Sequence, residues 1–157
     1  MKTYPLAFRL NGEMREAEVA AHETLLDLLR NRLGAKEVKN GCAKGDCGAC
    51  AVLVGGTAVN ACLTPALQAQ GKEVITVRGI GREDNPDPLQ VSFVRHGAIQ
   101  CGYCTPGMIV SAKALLNENP TPDRHEIREA ISGNLCRCTG YNKIVEAIEA
   151  VTSGIIL

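Results

Sequence analysis

The sequence predicts an α+β protein, in which a small β-sheet crossed by one helix precedes a small helical bundle. Three observations support this class. Short strand-like runs separated by turn signals fill most of residues 1–78, a stretch rich in glycine, proline and charge follows, and helical periodicity dominates thereafter. We therefore predict a first domain at residues 1–78, a linker at 79–88 and a second domain at 89–157.

The first domain contains five predicted strands and one helix. Residues 4–10 and 13–20 form a hairpin around Asn11-Gly12, a dipeptide that tolerates the positive φ angles of a tight turn. A helix begins near Thr24 and ends at Gly34. Its apolar face carries four leucines, Leu25, Leu28, Leu29 and Leu33. The other three strands are predicted at residues 51–54, 57–63 and 73–77.

The second domain contains four predicted helices, and three of them begin at a polar residue followed by proline. Proline suits the first helical position because its missing N–H has no partner there anyway. The predicted starts are Asp87-Pro88, Thr105-Pro106, Thr121-Pro122 and Gly140. The first helix ends before Gly97 and the second near Glu118. Apolar residues align on one face of the later two helices, which predicts that they pack as a bundle.

Charge and cysteine content narrow the class of function. The 157 residues carry 17 basic and 17 acidic side chains, which argues against nucleic-acid binding because such proteins show a basic excess. The first residues lack a secretory signal, and no apolar run reaches the roughly 18 to 20 residues of a membrane span. We therefore predict a cytoplasmic protein, in which the eight cysteines are metal ligands rather than disulfides.

Four cysteines in the first domain have the spacing of an iron–sulfur site. They are Cys42, Cys47, Cys50 and Cys62, separated by four, two and eleven residues. Gly45 and Gly48 lie in the same loop, where glycine lets the backbone turn its N–H groups toward sulfur. A C-x4-C-x2-C run followed later by a fourth cysteine is the plant-type ferredoxin pattern for a [2Fe–2S] cluster.

The other four cysteines form two close pairs on separate loops of the bundle, where they can meet at one end. They are Cys101, Cys104, Cys136 and Cys138. Two such pairs suit zinc about as well as iron, although a C-x-C pair is unusual for structural zinc. Spacing alone therefore leaves the metal of this second site open.

Three sequence blocks resemble the small iron–sulfur subunit of the xanthine oxidase family. They are GCAKGDCGAC at 41–50, QCGYCTPGM at 100–108 and GNLCRCTGY at 133–141. The resemblance implies a β-grasp, plant-type ferredoxin-like domain followed by a four-helix-bundle domain, each holding one [2Fe–2S] cluster. It thereby assigns iron to the second site. It also implies a large subunit with molybdenum on a pterin cofactor and a medium subunit with FAD.

By the same resemblance, the chain passes single electrons from the molybdenum pterin through its two clusters toward FAD or an external acceptor. The second cluster lies nearest the pterin, with Gln100 and Cys138 approaching it, and the first cluster faces the flavin. The resemblance implies a hetero-oligomer, such as a dimer of heterotrimers, in which this chain has no catalytic residue. The predicted substrate is a purine or other N-heterocycle, with an aldehyde, an aromatic acyl-CoA or carbon monoxide as alternatives.

The presence of two clusters has a chemical explanation. Substrate oxidation releases two electrons together, whereas each [2Fe–2S] centre accepts only one. The main rival is a free-standing ferredoxin without a molybdenum partner. It explains the first four cysteines but gives the helical domain no purpose. Disulfides, or zinc at one or both sites, would also account for closely spaced cysteines.

Overall fold

The computed structural model describes residues 2–154, so the last three residues of the predicted second domain lie outside it. A five-stranded sheet fills the first half. Its strands are β1 Thr3–Leu10, β2 Glu13–Ala20, β3 Ala51–Val54, β4 Thr57–Asn60 and β5 Glu73–Ile75. Their order is β2-β1-β5-β3-β4, with β1 and β5 parallel and the other pairs antiparallel. The predicted hairpin is confirmed, with Asn11 and Gly12 at positive φ.

The helix that crosses the sheet is present but wound more widely than predicted. Residues Asp27–Arg32 form a π-helix, in which the N–H of Leu33 donates to the carbonyl of Leu28, five residues back. The Thr24 hydroxyl caps its start by accepting from the Asp27 N–H at 3.1 Å. Buried leucines, including Leu25 and Leu29, join the sheet residues in one apolar core, as the predicted face requires.

Two strands are shorter than predicted. Strand β4 ends at Asn60 because the N–H of Leu63 turns back onto the Asn60 carbonyl, so Cys62 lies on a turn and its expected place on a strand is wrong. Strand β5 ends at Ile75 because Thr76 accepts from the Arg78 N–H and caps a short helix. This helix, α1 Val77–Ile80, occupies the start of the stretch predicted as a linker.

Four further helices form the second half, as predicted. They are α2 Pro88–Arg95, α3 Thr105–Glu118, α4 Arg124–Ala130 and α5 Asn142–Thr152. The expected start of the third helix at Thr121-Pro122 is wrong. Asp123 caps α4 instead, because its side chain accepts from the Glu126 N–H while the Glu126 side chain accepts from the Asp123 N–H.

The two halves pack directly on one another. Ala51 and Leu53 of β3 share a small buried cluster with Val110 of α3. Since β3 follows one cysteine loop and α3 follows another, this contact holds the two loops side by side. No helix within residues 2–154 is long and apolar enough to cross a membrane.

Candidate metal centres

The first cysteine site combines three cysteines of the loop before β3 with Cys62, which lies on the turn after β4. The side chain of Cys42 interacts with that of Cys47, and the side chain of Cys50 interacts with that of Cys62. The second pair is buried against the sheet core, whereas Cys42 and Cys47 are partly exposed. The site therefore has a buried side within the domain and an open side toward the surface.

Backbone conformation shapes this loop. Gly45 and Gly48 have φ angles of +90° and +66°, which residues with a Cβ rarely adopt. A Cβ at Gly45 would lie 2.4 Å from the Cδ1 of Leu63, the residue after Cys62. The Asn60 side chain donates to the Gly45 carbonyl at 3.1 Å and ties the loop to the end of β4. Both glycines thus let the loop fold tightly around its cysteines.

The second site is also built from two pairs, contributed by two loops of the helical half. The Sγ atoms of Cys101 and Cys138 are 3.6 Å apart, and both residues are exposed. Cys104, at the start of α3, interacts with Cys136, in the loop that precedes α5. This inner pair packs against the core of the bundle. The prediction that both loops meet at one end of the bundle is therefore confirmed.

Cys136 receives two hydrogen bonds from one residue. The Thr139 hydroxyl donates to the Cys136 Sγ at 3.1 Å, and the Thr139 N–H points to the same sulfur at 3.4 Å. The hydroxyl in turn accepts from the N–H of Tyr141, whose own hydroxyl accepts from the Cys136 N–H. Donors directed at sulfur favour its anionic form, as a metal ligand requires.

The pKa of each thiol depends on its burial and on the groups that contact its sulfur. The backbone N–H of Lys44 lowers the pKa of Cys42 to about 6, despite opposing desolvation. Burial is the main reason that the pKa of Cys50 is raised to about 11 and that of Cys104 to about 12, and the neighbouring thiols of Cys62 and Cys136 contribute to the increase. Burial also raises the pKa of Cys136, yet the Thr139 donors lower it overall.

This pattern fits metal binding. Thiols crowded into a buried site repel one another as thiolates, so an empty site retains protons that a metal cation would displace. All eight cysteines lie within the described residues and all are free thiols.

Each site provides four thiols, which is the ligand number of a [2Fe–2S] centre. Structural zinc needs four ligands around one ion, whereas a [2Fe–2S] centre takes four thiolates spread over two irons. The Cys101 to Cys138 distance suits both arrangements, so the donor set alone does not separate iron from zinc.

The structure brings the loop at residues 133–138 of the second site into direct contact with the loop at residues 42–50 of the first site. The N–H of Leu135 donates to the Cys47 carbonyl at 2.9 Å, and the Asn134 side chain donates to the Gly48 carbonyl at 3.0 Å. Sequence reasoning singled out neither Asn134 nor Thr139. Both residues lie in the block at residues 133–141, close to Cys136 and Cys138. This closeness in sequence was the only feature that could have identified them, because no periodicity or spacing rule predicts their hydrogen bonds.

Exposed apolar side chains lie next to residues of the second site along the chain. Ile99, Tyr103 and Leu135 each flank a cysteine or Gln100, and each is at least 36% exposed. Gln100 itself is exposed beside Cys101. Large apolar groups gathered at a surface indicate a place where another protein surface is buried.

Comparisons with known proteins agree with this geometry. Residues 8–76 match the family model of a 2Fe-2S iron-sulfur cluster binding domain, and residues 76–149 match that of a [2Fe-2S] binding domain. The chain is 49% identical to the nicotinate dehydrogenase small FeS subunit of Eubacterium barkeri over 148 residues, covering 94% of each chain.

Two further comparisons involve different subunit arrangements. In the crystal structure of quinoline 2-oxidoreductase from Pseudomonas putida 86, a chain with 43% identity superposes with a TM-score of 0.92, covering 99% of this chain and 97% of that one. The xanthine dehydrogenase of Emericella nidulans is 42% identical over 161 residues, which cover 96% of this chain and 12% of that protein. The same unit therefore occurs both as a separate chain and as part of a much longer one.

Proposed function

The chain belongs to the small iron–sulfur subunits of the xanthine dehydrogenase family of molybdenum hydroxylases, and on this premise we propose which residues carry its electrons and in what order. It is an electron-transfer subunit with two [2Fe–2S] clusters, and its relatives imply a molybdenum-containing partner.

Each group of four cysteines is proposed to hold one cluster. Cys42, Cys47, Cys50 and Cys62 would hold the first, and Cys101, Cys104, Cys136 and Cys138 the second. The support is the paired arrangement of sulfurs at each site. When bound, each cluster supplies a one-electron couple. Gly45 and Gly48 let the first loop fold closely around its cysteines, and Thr139 donates to a sulfur of the second. We also propose the domain boundaries that the sequence predicts, with a first domain at residues 1–78, a linker at 79–88 and a second domain at 89–157.

The second site is proposed to face the molybdenum–pterin subunit. The observation that carries this order is the exposure of Cys101 and Cys138, with the exposed Gln100 next to Cys101 and exposed apolar side chains next to other residues of the site. Burial of that surface by a partner would exclude water and bring Gln100 and Cys138 to the pterin. Electrons would then pass to the first site, whose open side at Cys42 would face the flavin.

The assembly is proposed to include a medium subunit with FAD, in a hetero-oligomer such as a dimer of heterotrimers located in the cytoplasm. A flavin can accept electrons one at a time and can hold two of them, so it can collect both electrons from the first site. The zero net charge of the chain suits permanent docking, because diffusing carriers often use a strongly charged face for steering.

The substrate class is proposed to be an N-heterocycle, which includes the purines. The support is that relatives of 49% and 43% identity over nearly the whole chain are named for nicotinate and quinoline. Aldehydes are the second candidate, because an aldehyde oxidoreductase iron-sulfur-binding subunit of Escherichia coli is 44% identical over 92% of this chain.

The first experiment is to purify the chain with its natural partners and measure iron, acid-labile sulfide, molybdenum, zinc and flavin. Two [2Fe–2S] clusters require four iron and four sulfide per chain. Anaerobic addition of nicotinate, xanthine or an aldehyde, followed by electron paramagnetic resonance (EPR), then shows which substrate reduces the centres. A preparation with zinc, or with only two iron, would contradict the ligand assignment. Reduction by aldehyde alone would refute the proposed substrate class.

A pair of variants tests the docking surface. Leu135→Asp puts a charge on an exposed apolar side chain beside the second site, and we expect it to reduce the molybdenum that co-purifies with the chain. Met14→Asp makes the same kind of change on the exposed face of β2, which is not part of either cysteine site, and should leave molybdenum unchanged. Equal molybdenum in both variants would count against docking at the second site.

A further inference from the structure

The contact between the two cysteine loops joins the two sites by a short chain of covalent bonds and one hydrogen bond. Cys47 is a proposed ligand of the first site, and its carbonyl accepts from the N–H of Leu135 at 2.9 Å. The next residue, Cys136, is a proposed ligand of the second. No side chain intervenes, so the route from one sulfur to the other is entirely along the backbone except at the two ends.

Asn134 holds this route in place. It is 4% exposed, and its side-chain nitrogen donates to the Gly48 carbonyl at 3.0 Å, one residue after Cys47. Its own N–H donates to the carbonyl of Ile131 in the turn after α4, which anchors it to the helical half. Two adjacent residues of one loop thus bind two adjacent carbonyls of the other.

The close approach of the loops depends on glycine. A Cβ at Gly107, in the first turn of α3, would lie 2.3 Å from the Gly48 carbonyl oxygen and 3.2 Å from the Cα of Ala49. A Cβ at Gly48 would lie 2.5 Å from the Gly133 carbonyl oxygen. The backbones of the three segments therefore meet without room for a methyl group.

We propose that the buried Asn134 side chain and Gly107 are positioning elements, which keep the loops of the two sites in contact and thereby fix the spacing of the two clusters. This proposal rests on the proposed ligand assignment. The Asn134 side chain and Gly107 keep the backbone hydrogen bond from Leu135 to Cys47 in place. Loosening the contact slows exchange without removing a ligand from either site.

The most direct test is Gly107→Ala in the complete complex, with Gly133→Ala as the matched control. The added methyl at Gly107 pushes against the Gly48 carbonyl, whereas a Cβ at Gly133 has no heavy atom within 4 Å. The readout is EPR of the fully reduced protein, in which the interaction between two paramagnetic centres depends steeply on their separation. We expect a smaller splitting, and several-fold slower exchange after rapid partial reduction, in Gly107→Ala alone.

A second pair of variants removes the side-chain hydrogen bond with little change of size. Asn134→Asp replaces the donor to the Gly48 carbonyl with an acceptor, and Asn142→Asp adds the same charge at an exposed position at the start of α5. We expect a reduced splitting only in Asn134→Asp. If that chain does not fold, the Gly107→Ala measurement still decides the question.

The outcomes separate this proposal from the one it rests on. Fewer than four iron per chain in the unmodified protein would refute the ligand assignment. Four iron, with normal signals of each centre but unchanged splitting and exchange rate in Gly107→Ala, would refute the positioning role alone. A change of equal size in Gly133→Ala would also overturn it, because the effect would not depend on the loop contact.

Discussion

Thr139 provides the sharpest test of how this chain tunes its second centre. Thr139→Val keeps the shape of the side chain but removes the hydroxyl that donates to the Cys136 Sγ at 3.1 Å. The longer contact from the Thr139 N–H, at 3.4 Å, remains. Hydrogen bonds to sulfur stabilise the more negative, reduced form of a cluster, so the substitution should lower the reduction potential of the second centre.

The size of the shift follows from the energy of one hydrogen bond. A typical protein hydrogen bond contributes about 1 kcal/mol net. A one-electron couple changes by about 59 mV for each tenfold change in its equilibrium constant, so 1 kcal/mol corresponds to about 40 mV. We therefore expect the midpoint potential of the second centre to fall by about 40 mV. The first centre, which Thr139 does not contact, should keep its potential.

The assay is a redox titration of the intact complex followed by EPR, in which the two centres are read separately. Thr139→Ser is the control, because it keeps the hydroxyl that serves both Cys136 and the N–H of Tyr141. An unchanged potential in Thr139→Val, or an equal fall in Thr139→Ser, would refute the reasoning. A shift of both centres would show a general disturbance rather than a local hydrogen bond.

Three further predictions concern ligands and stability. Cys101→Ser should remove the signal of the second centre and leave that of the first, while Cys50→Ser should do the reverse; loss of both signals in each variant would contradict two independent sites. Gly71→Ala should lower the free energy of unfolding by about 1–2 kcal/mol, because alanine is strained at this positive φ. Gly48→Ala should lower it by about 2–5 kcal/mol, because it also displaces the buried hydrogen bond from Asn134. Equal thermal unfolding midpoints for these two variants would refute the loop contact. Phe93→Ala, in the core of the bundle, should cost about 3–5 kcal/mol in the same assay, and a smaller loss than for Gly71→Ala would argue against the described packing.

Local signals predicted most of the elements. The Asn11-Gly12 turn fixes the first hairpin, and Asp87-Pro88 starts α2, because these choices depend on a few neighbouring residues. The predicted element boundaries are wrong where a side-chain cap overrides the pattern of apolar and turn-forming residues. Asp123 forms a capping box with Glu126 and so displaces the expected start of α4, and Thr76 converts the end of the fifth strand into a helical turn.

The cysteine spacing by itself predicts the first site, because three closely spaced thiols with glycines between them match the plant-type ferredoxin pattern. It did not determine the second site, where two distant pairs suit more than one metal. The tertiary structure decided which sulfurs face each other, which pair is exposed, and that Asn134 and Leu135 bind the backbone of the first loop. These contacts join residues up to 88 positions apart. Local sequence rules cannot specify them, since they depend on the packing of α3 against β3.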